Sequence, residues 1–307
     1  MTRPTTLILA ALALGLPSRA PTQAPVRTEA RARSHPEYLV STGWLAAHLG
    51  SPNVVVIHVG HTDDGYRAGH VPGALFLPLS AVAMTVNGVP NEFPAPDQLS
   101  ATFRDLGVGN GARIVIYGDD QGLLAARAWV ALDLLGQSAR ASILDGGLSR
   151  WTAEHRAVET TVRGPHPELL ASRWRADRVV SAAWVRAHLG DRTVAFVDAR
   201  SPEQYAGTPG DSASGHLPGA KSLYWMNGLA SADDPVLRPM GALRDLWHPI
   251  GADRRPVATV VVYCRTGMQA SHDYFVARYL GLPDVRLYDG SVSEWTMLHY
   301  PLETSSR

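Results

Sequence analysis

The chain contains one unit written twice, and this internal repeat constrains the fold more than any other feature of the sequence. Residues 41–50 (STGWLAAHLG) recur as residues 181–190 (SAAWVRAHLG), and residues 69–74 (GHVPGA) recur as residues 215–220 (GHLPGA). The repeat is much longer than the units of a solenoid, which hold about 20–50 residues each. It therefore predicts two tandem domains of the same fold.

Within each copy, apolar β-branched runs alternate with helical patterns. Strands are predicted at matching places in the two copies, at residues 54–59, 193–197, 113–117 and 259–263. Strands that alternate with helices form a mainly parallel sheet flanked by helices on both faces. The predicted fold class is α/β, with one domain over residues 37–155 and a second over residues 179–305. The Pro- and Gly-containing segment 156–178 is the predicted linker.

The charge composition argues against nucleic acid as a partner. The 307 residues include 28 basic and 28 acidic side chains, so the chain lacks the basic footprint of a protein that binds nucleic acid. Any recognition of an anion must therefore be local, through a few Arg side chains and backbone N–H groups.

The first residues have the pattern of a targeting segment. A basic start is followed by an apolar run at residues 7–16 and by small residues up to Ala20 and Ala24, as in a secretory signal peptide. The apolar run is too short to cross a bilayer comfortably, so no stable membrane anchor is expected. We expect residues 1–24 to be a signal peptide and the protein to be exported, with the periplasm as its location.

The single cysteine, Cys264, lies where a β-branched run gives way to a Gly-containing loop and then to a helical pattern. Backbone N–H groups and the positive end of a helix are expected to lower the pKa of a thiol at such a junction. A buried structural cysteine is the alternative, but the polar loop and the neighbouring Arg265 favour a reactive thiol. With one cysteine, the chain cannot form an internal disulfide.

Several motifs occur together and in order: VDAR at residues 197–200, GHxPGA in both copies, and CRTG at residues 264–267. In this combination the chain resembles the rhodanese-type sulfurtransferases over residues 37–305. The resemblance implies two tandem rhodanese-like domains and an enzyme that moves sulfane sulfur to a thiophilic acceptor such as cyanide. The sulfur would be carried as a persulfide on Cys264, which is covalent, two-step catalysis, and no cofactor is implied.

The loop around Cys264 is the predicted site for the sulfur donor. Its backbone N–H groups can form an anion-binding cradle at a helix N-terminus, and the predicted substrate-binding residues there are Arg265, Thr266, Gly267, Met268 and Gln269. Gly267 is expected to allow tight curvature of the backbone. By resemblance, Arg200 binds the substrate anion; the alternative for Arg200 is an ion pair with Asp198 or Glu203.

The identity of the donor rests on the residue that follows the cysteine. Cys-Arg-x-Gly is typical of the thiosulfate type of this family and Cys-Gly-x-Gly of the 3-mercaptopyruvate type, so Arg265 favours thiosulfate. A 3-mercaptopyruvate sulfurtransferase and a persulfide carrier with little turnover remain alternatives. A cysteine phosphatase or arsenate reductase would need Arg six residues beyond Cys264, in Cys-x5-Arg, where this chain has Ala270. The missing Arg disfavours both.

The first copy lacks a sulfur nucleophile. Alignment on the glycines places Asp119 opposite Cys264, whereas alignment on the tyrosines places Gly118 there, and both predict a non-catalytic first domain. His70 and His216 occur in both GHxPGA turns and are expected to stabilise those turns. No metal site is predicted, because the spacing of His58, His61, Asp63 and Asp64 fits no strong zinc signature.

Overall fold

The computed structural model describes residues 1, 33–208, 214–251 and 256–305. The described residues from 33 onwards form one compact unit. The predicted signal peptide, residues 1–24, falls outside the described residues except for Met1. Among the helices of the described ranges, none combines the length and the apolar character needed to cross a membrane.

The first half folds into a parallel sheet with helices on both faces and one small hairpin. Its elements are, in chain order, β1 (Leu39–Val40), α1 (Thr42–His48), β2 (Val54–Gly60), α2 (Asp64–Ala68), β3 (Leu75–Pro78), β4 (Met84–Val86), β5 (Val89–Glu92), α3 (Pro96–Asp105), β6 (Arg113–Gly118), α4 (Leu123–Leu134), β7 (Ala141–Leu144) and α5 (Gly147–Ala153). The sheet has the order β1-β7-β6-β2-β3 and every pairing in it is parallel. Strands β4 and β5 form a separate antiparallel hairpin.

The second half repeats this plan. Its elements are α6 (Ala182–Ala187), β8 (Val194–Asp198), α7 (Pro202–Ala206), β9 (Lys221–Ser222), α8 (Met240–Trp247), β10 (Thr259–Tyr263), α9 (Met268–Leu280), β11 (Val285–Leu287) and α10 (Ser291–Met297). The strands form a parallel sheet in the order β11-β10-β8-β9. Two parallel sheets flanked by helices confirm the predicted fold class.

Short 3-10 helices connect several of these elements. They lie at Pro36–Tyr38, Leu79–Ala81, Asp120–Gly122, Ser138–Arg140, Ala176–Arg178, Trp225–Gly228 and His248–Ile250. The predicted linker 156–178 has no regular secondary structure before the 3-10 turn at its end.

Matching residues of the two copies make matching contacts. His70 Nδ1 is 2.7 Å from the carbonyl of Tyr66 and its ring stacks on Tyr66 at 3.8 Å between centroids. His216 Nδ1 is 2.8 Å from the carbonyl of Tyr205, with the same 3.8 Å stacking distance. The predicted role of both histidines in holding their turns is therefore confirmed.

Helices α4 and α9 lie at the contact between the two halves. Eleven of the twelve residues of α4 are buried, and nine of these eleven are apolar, as expected for a helix that is mostly apolar on every side. Trp129 on α4 meets Phe275 on α9 edge to face, with 4.9 Å between ring centroids. One continuous hydrophobic core therefore includes side chains of both halves, and it brings the first half close to the loop that holds Cys264.

Candidate active site

Cys264 lies at the carboxyl end of β10, directly before the loop that leads into α9. Ligands bind at this edge of open parallel sheets. The helix begins at Met268 and extends for 13 residues, so its first N–H groups face the loop. The Cys264 side chain itself is buried, with only 1% of the residue exposed.

The thiol is surrounded by backbone N–H groups, as the sequence predicts, but its pKa moves in the opposite direction. Burial raises the pKa of Cys264, and this effect outweighs hydrogen bonds from the N–H groups of Ala270, Thr266 and Gln269, which lower it. The expectation of a lowered pKa is therefore wrong for this structure. The N–H groups are present, but burial destabilises the thiolate by more than these three groups stabilise it.

Ser291 fixes the backbone of the loop through hydrogen bonds. Its hydroxyl oxygen accepts hydrogen bonds from the backbone N–H groups of Cys264 (3.1 Å) and Gly267 (3.2 Å), and the hydroxyl donates to the carbonyl of Tyr288. Ser291 has a φ of 53°, a left-handed conformation that is unfavourable for a residue with a Cβ. The first copy has Gly147 in the same place, with a φ of 55°.

Ser291 is one of the residues that the sequence interpretation missed. A signal was present, because the tail motif reads Asp145-Gly146-Gly147 in the first copy and Asp289-Gly290-Ser291 in the second. A non-glycine residue at a position that favours glycine in the other copy indicates that its side chain has a role there.

Gly267 is needed for two separate reasons. Its φ of 78° lies in the left-handed region, and this confirms that the loop turns sharply here. In addition, a Cβ at this position would collide with the carboxylate of Asp289 and lie 3.1 Å from Nη1 of Arg127. The loop therefore rests directly on these two side chains.

Arg127 and Asp289 form a buried ion pair between the two halves. Arg127 comes from α4 and has no exposed surface, and Asp289 is 2% exposed. The two nitrogen atoms Nη1 and Nη2 contact the two carboxylate oxygens at 2.5 and 3.1 Å, a bidentate arrangement. Arg127 also donates to the carbonyls of Val82 and Asn91. Nothing in the local sequence around either residue indicates this pair.

A second acidic residue lies beside this ion pair. Glu92, at the end of β5, has a buried oxygen, Oε1, without a hydrogen-bond partner. Burial and the nearby charge of Asp289 raise the pKa of Glu92 to about 8, although Arg127 opposes the shift. The carboxyl group of Glu92 therefore favours its neutral form beside the pair of Arg127 and Asp289.

Arg200 is placed by a different buried ion pair. Its Nε and Nη2 atoms donate to Asp198 at 2.9 and 2.6 Å, and Nη2 also donates to the carbonyl of Gly215. Burial lowers the pKa of Arg200, but its hydrogen bonds and the charge of Asp198 raise it further, so the guanidinium remains charged.

The structure shows the ion pair that the sequence left open for Arg200. Arg200 is 5% exposed and Asp198 is fully buried, so the ion pair left open as the alternative is the arrangement present. The guanidinium already shares its charge with Asp198, and binding of the substrate anion by Arg200 stays a prediction. Its charge interacts with that of the Cys264 thiolate.

The other predicted site residues surround Cys264 in different ways. Arg265 is exposed, whereas Thr266 and Gln269 are half-buried. Met268 is 9% exposed and belongs to the hydrophobic core, so its contribution to the cradle is its place at the helix N-terminus. Thr266 receives a hydrogen bond from the side chain of Asn91, in the hairpin of the first half, at 3.0 Å.

The equivalent loop of the first half has no room for a thiol. Strand pairing aligns Tyr117 and its neighbour His58 with Tyr263 and its neighbour Asp198, so Gly118 takes the place of Cys264. A Cβ on Gly118 would lie 2.8 Å from the carbonyl oxygen of Val59 and 3.0 Å from a helix N–H. This favours the alignment on the tyrosines and makes Asp119 an additional residue in the loop.

The surroundings of the first-half loop differ from those of Cys264. Asp119 contacts Nε2 of His58 at 3.2 Å, and Asp120 contacts His61 at 3.0 Å. A cavity of about 400 Å³ lies beside this loop and is also lined by residues of the second half, among them Leu237. Across residues 33–208, 214–251 and 256–305, His, Cys, Asp and Glu side chains form no group of three that could hold a metal ion.

Comparison with known proteins gives one family for both halves. The model of the rhodanese-like domain matches residues 41–154 and again residues 181–298. Among solved structures, the chain is similar to a 3-mercaptopyruvate sulfurtransferase, SseA from Escherichia coli, with a TM-score of 0.72 and 25% identity over 83% of this chain and 98% of that one. It also has the fold of an anaerobic ergothioneine biosynthesis enzyme from Chlorobium limicola, with a TM-score of 0.75, at 22% identity over 88% of this chain and 71% of that one.

Three relatives of similar length carry three different names. The sulfur carrier protein TtuD of Thermus thermophilus is 32% identical over 280 residues, which are 85% of this chain and 94% of that protein. A probable 3-mercaptopyruvate sulfurtransferase of Pseudomonas aeruginosa is 32% identical over 84% of this chain and 94% of its own length. A thiosulfate sulfurtransferase of Corynebacterium glutamicum is 31% identical over 88% of this chain and 92% of its own length.

Proposed function

Because the chain belongs to the rhodanese-like domain family, we propose that it moves sulfane sulfur from thiosulfate to a thiophilic acceptor, through a persulfide on Cys264. The chain is a sulfurtransferase of the thiosulfate or 3-mercaptopyruvate type, as are relatives of similar length.

The proposed reaction has two steps. Cys264 loses its proton to solvent, and the thiolate attacks the terminal sulfur of thiosulfate. A new S–S bond forms on the protein while the S–S bond of thiosulfate breaks, and its electron pair leaves with sulfite. Cyanide then attacks the outer sulfur of the persulfide, so that thiocyanate leaves and the Cys264 thiolate is restored. Such covalent catalysis gives ping-pong kinetics.

The convergence of backbone N–H groups on Cys264 is the observation that carries this proposal. The N–H groups of Ala270, Thr266 and Gln269 act on the thiol in a buried site. Fixed donors in a site that excludes water stabilise negative charge more than they would in solution. They therefore reduce the cost of burying the thiolate, the persulfide and the departing sulfite, which are all anions.

Arg265 supports thiosulfate as the donor. Its side chain is exposed beside the buried sulfur, so its charge can attract and orient a dianion. The motif Cys-Arg-x-Gly is also typical of the thiosulfate type in this family. 3-Mercaptopyruvate stays the alternative donor, and the similarity to proteins named for that substrate favours it.

A sulfur carrier with little turnover is the second candidate function. It is favoured by the relative of Thermus thermophilus that is named a sulfur carrier protein. In that case the persulfide would form on Cys264 by the same first step, and a protein partner would take the place of cyanide in the second.

Thiocyanate formation from cyanide tests the proposal and both alternatives. We expect thiosulfate to support faster turnover than 3-mercaptopyruvate, and Cys264→Ser to abolish it with the urea unfolding midpoint unchanged. Faster turnover with 3-mercaptopyruvate would keep the chemistry and reject thiosulfate as the donor. Stoichiometric persulfide on Cys264 without turnover would favour the carrier, and turnover by Cys264→Ser would reject the nucleophile.

Export to the periplasm is proposed on the N-terminal sequence pattern. The N-terminus of the protein purified from the periplasmic fraction of a Gram-negative host would begin near residue 21 or 25 if the signal peptide is removed. Recovery of the chain in the cytoplasm with Met1 intact would contradict export.

A further inference from the structure

We propose that Asn91, in the half without a nucleophile, is a positioning residue of the sulfur-transfer site. Its side-chain amide fixes the hydroxyl group of Thr266 so that the hydroxyl hydrogen is directed to the oxyanion of the sulfur donor. This inference rests on the proposed function, and it gives the first half a direct part in binding the donor.

The contact itself determines which atom of Thr266 remains available. Asn91 Nδ2 donates a hydrogen bond of 3.0 Å to Oγ1 of Thr266. A hydroxyl group has one hydrogen to donate and two lone pairs to accept with. Because the amide occupies a lone pair, the hydrogen is left for another acceptor. The backbone N–H of the same threonine acts on the thiol of Cys264, so this residue is next to the reacting sulfur.

Asn91 is held firmly enough to orient another group. Its φ is 61°, a left-handed conformation that Asn tolerates better than most residues. Its carbonyl accepts a hydrogen bond from Nη2 of Arg127, and Arg127 is fixed in turn by its bidentate pair with Asp289.

The residue that follows β5 is held by the same pair. The backbone N–H of Phe93 donates to Oδ2 of Asp289 at 2.9 Å. The guanidinium of Arg127 lies over the ring of Phe93, 3.4 Å from its centroid. Asn91 and Phe93 are therefore both fastened to Arg127, and Phe93 also to Asp289, which belongs to the second half.

These contacts explain how a neutral loop residue can contribute to binding an anion. A free Thr hydroxyl rotates between several directions, and ordering it when the donor binds costs entropy. A hydroxyl whose lone pair already accepts a hydrogen bond is oriented before the sulfur donor binds. The donor class that fits is a small sulfur oxyanion such as thiosulfate, whose oxygens accept hydrogen bonds.

Asn87 provides a matched control in the same hairpin. It is also an Asn with a left-handed φ, 52°, but it is exposed at the turn between β4 and β5. In both variants an alanine, which lacks the side-chain amide of Asn, must adopt a left-handed backbone conformation. Loss of stability from the backbone should therefore be similar in both variants, and only Asn91→Ala removes the contact with Thr266.

Steady-state kinetics with thiosulfate and cyanide test the proposal on the full chain. We expect Asn91→Ala to raise the KM for thiosulfate about 3- to 10-fold, the range for one hydrogen bond, with a smaller change in kcat, and Asn87→Ala to leave KM unchanged. Thr266→Val keeps the shape and removes the hydroxyl, so it should raise KM similarly. Asn91→Ala should add no further increase in the Thr266→Val background.

Two results would overturn the role of Asn91: an unchanged KM in Asn91→Ala, or an increase of the same size when Thr266 is already Val. A readout that does not need turnover separates this inference from the proposed function. Sulfite should protect Cys264 from alkylation by iodoacetamide, at concentrations several-fold higher in Asn91→Ala and Thr266→Val than in Asn87→Ala. Protection without thiosulfate turnover would reject the proposed donor and keep the role of Asn91; equal protection in all three variants would reject that role.

Discussion

Replacing Arg127 with methionine removes the charge at the centre of the contact between the two halves. The side chain keeps much of its apolar stem, but its hydrogen bonds to Asp289, Asn91, Val82 and Ser271 are lost. The carboxylate of Asp289, only 2% exposed, would then be a buried charge whose remaining donor is the N–H of Phe93.

The size of the effect follows from this burial. Removing one partner of a buried ion pair costs about 3–5 kcal/mol, because the other charge is left uncompensated. A folded protein is stable by only about 5–15 kcal/mol, so Arg127→Met should lose a large share of its free energy of unfolding. Asp289→Asn should be similarly costly alone. In the double variant both charges are gone, and the total loss should be well below the sum of the two single losses.

Urea unfolding followed by far-UV circular dichroism and tryptophan fluorescence measures these losses. Arg104→Met is the control, because Arg104 is exposed on α3 and pairs there with its neighbour Asp105; its loss should stay within about 0.5 kcal/mol. A loss below about 1 kcal/mol for Arg127→Met would refute the reasoning, as would additive losses in the double variant with Asp289→Asn.

Three further predictions concern buried polar groups near Cys264. Ser291→Ala should lose at least about 2 kcal/mol in urea unfolding, because the N–H groups of Cys264 and Gly267 lose their acceptor; a loss within error of zero would contradict this. Arg200→Ala should lose about 3–5 kcal/mol, since Asp198 is fully buried; wild-type stability would show that the pair is dispensable. Glu92 has a pKa raised by burial from 4.5 to about 8, so the folded chain keeps a proton that the unfolded chain releases, and its contribution to stability falls as the pH rises from about 5 to 8. Glu92→Gln should therefore gain stability relative to the wild type over this interval, and parallel pH profiles would rule out the shift.

Predictions that depend on short stretches of sequence are confirmed where the chain repeats them. Ser41 and Ser181 cap their helices, as serine commonly does. Each hydroxyl oxygen accepts a hydrogen bond, of 3.1 and 3.2 Å respectively, from the backbone N–H three residues further along the chain. The β-branched runs form the central strands of both sheets. By contrast, the hairpin β4–β5 has short strands of mixed composition, so it does not stand out in the sequence, although it carries Asn91 and Glu92.

The direction of the thiol pKa shows a different limit of sequence reasoning. The junction of strand, loop and helix correctly predicts that N–H groups surround Cys264. The balance between those groups and the loss of solvent depends on how deeply the thiol is buried. That depth is set by packing against residues far away in the chain, and it reverses the expected shift.

The sequence by itself determined the doubled α/β fold, the half that holds the only cysteine, and the loop and helix N-terminus around Cys264. These follow from periodicity, glycines and caps, whose physical causes act within a few residues. Only the tertiary structure decided that Arg127 meets Asp289, that Asn91 reaches Thr266, and that Arg200 is occupied by Asp198. The first two contacts join residues more than 160 positions apart. The third was one of several local alternatives, and burial selected it because a buried charge needs a partner. The sequence shows which chemical groups the protein contains, and the tertiary structure determines which of them a substrate can reach.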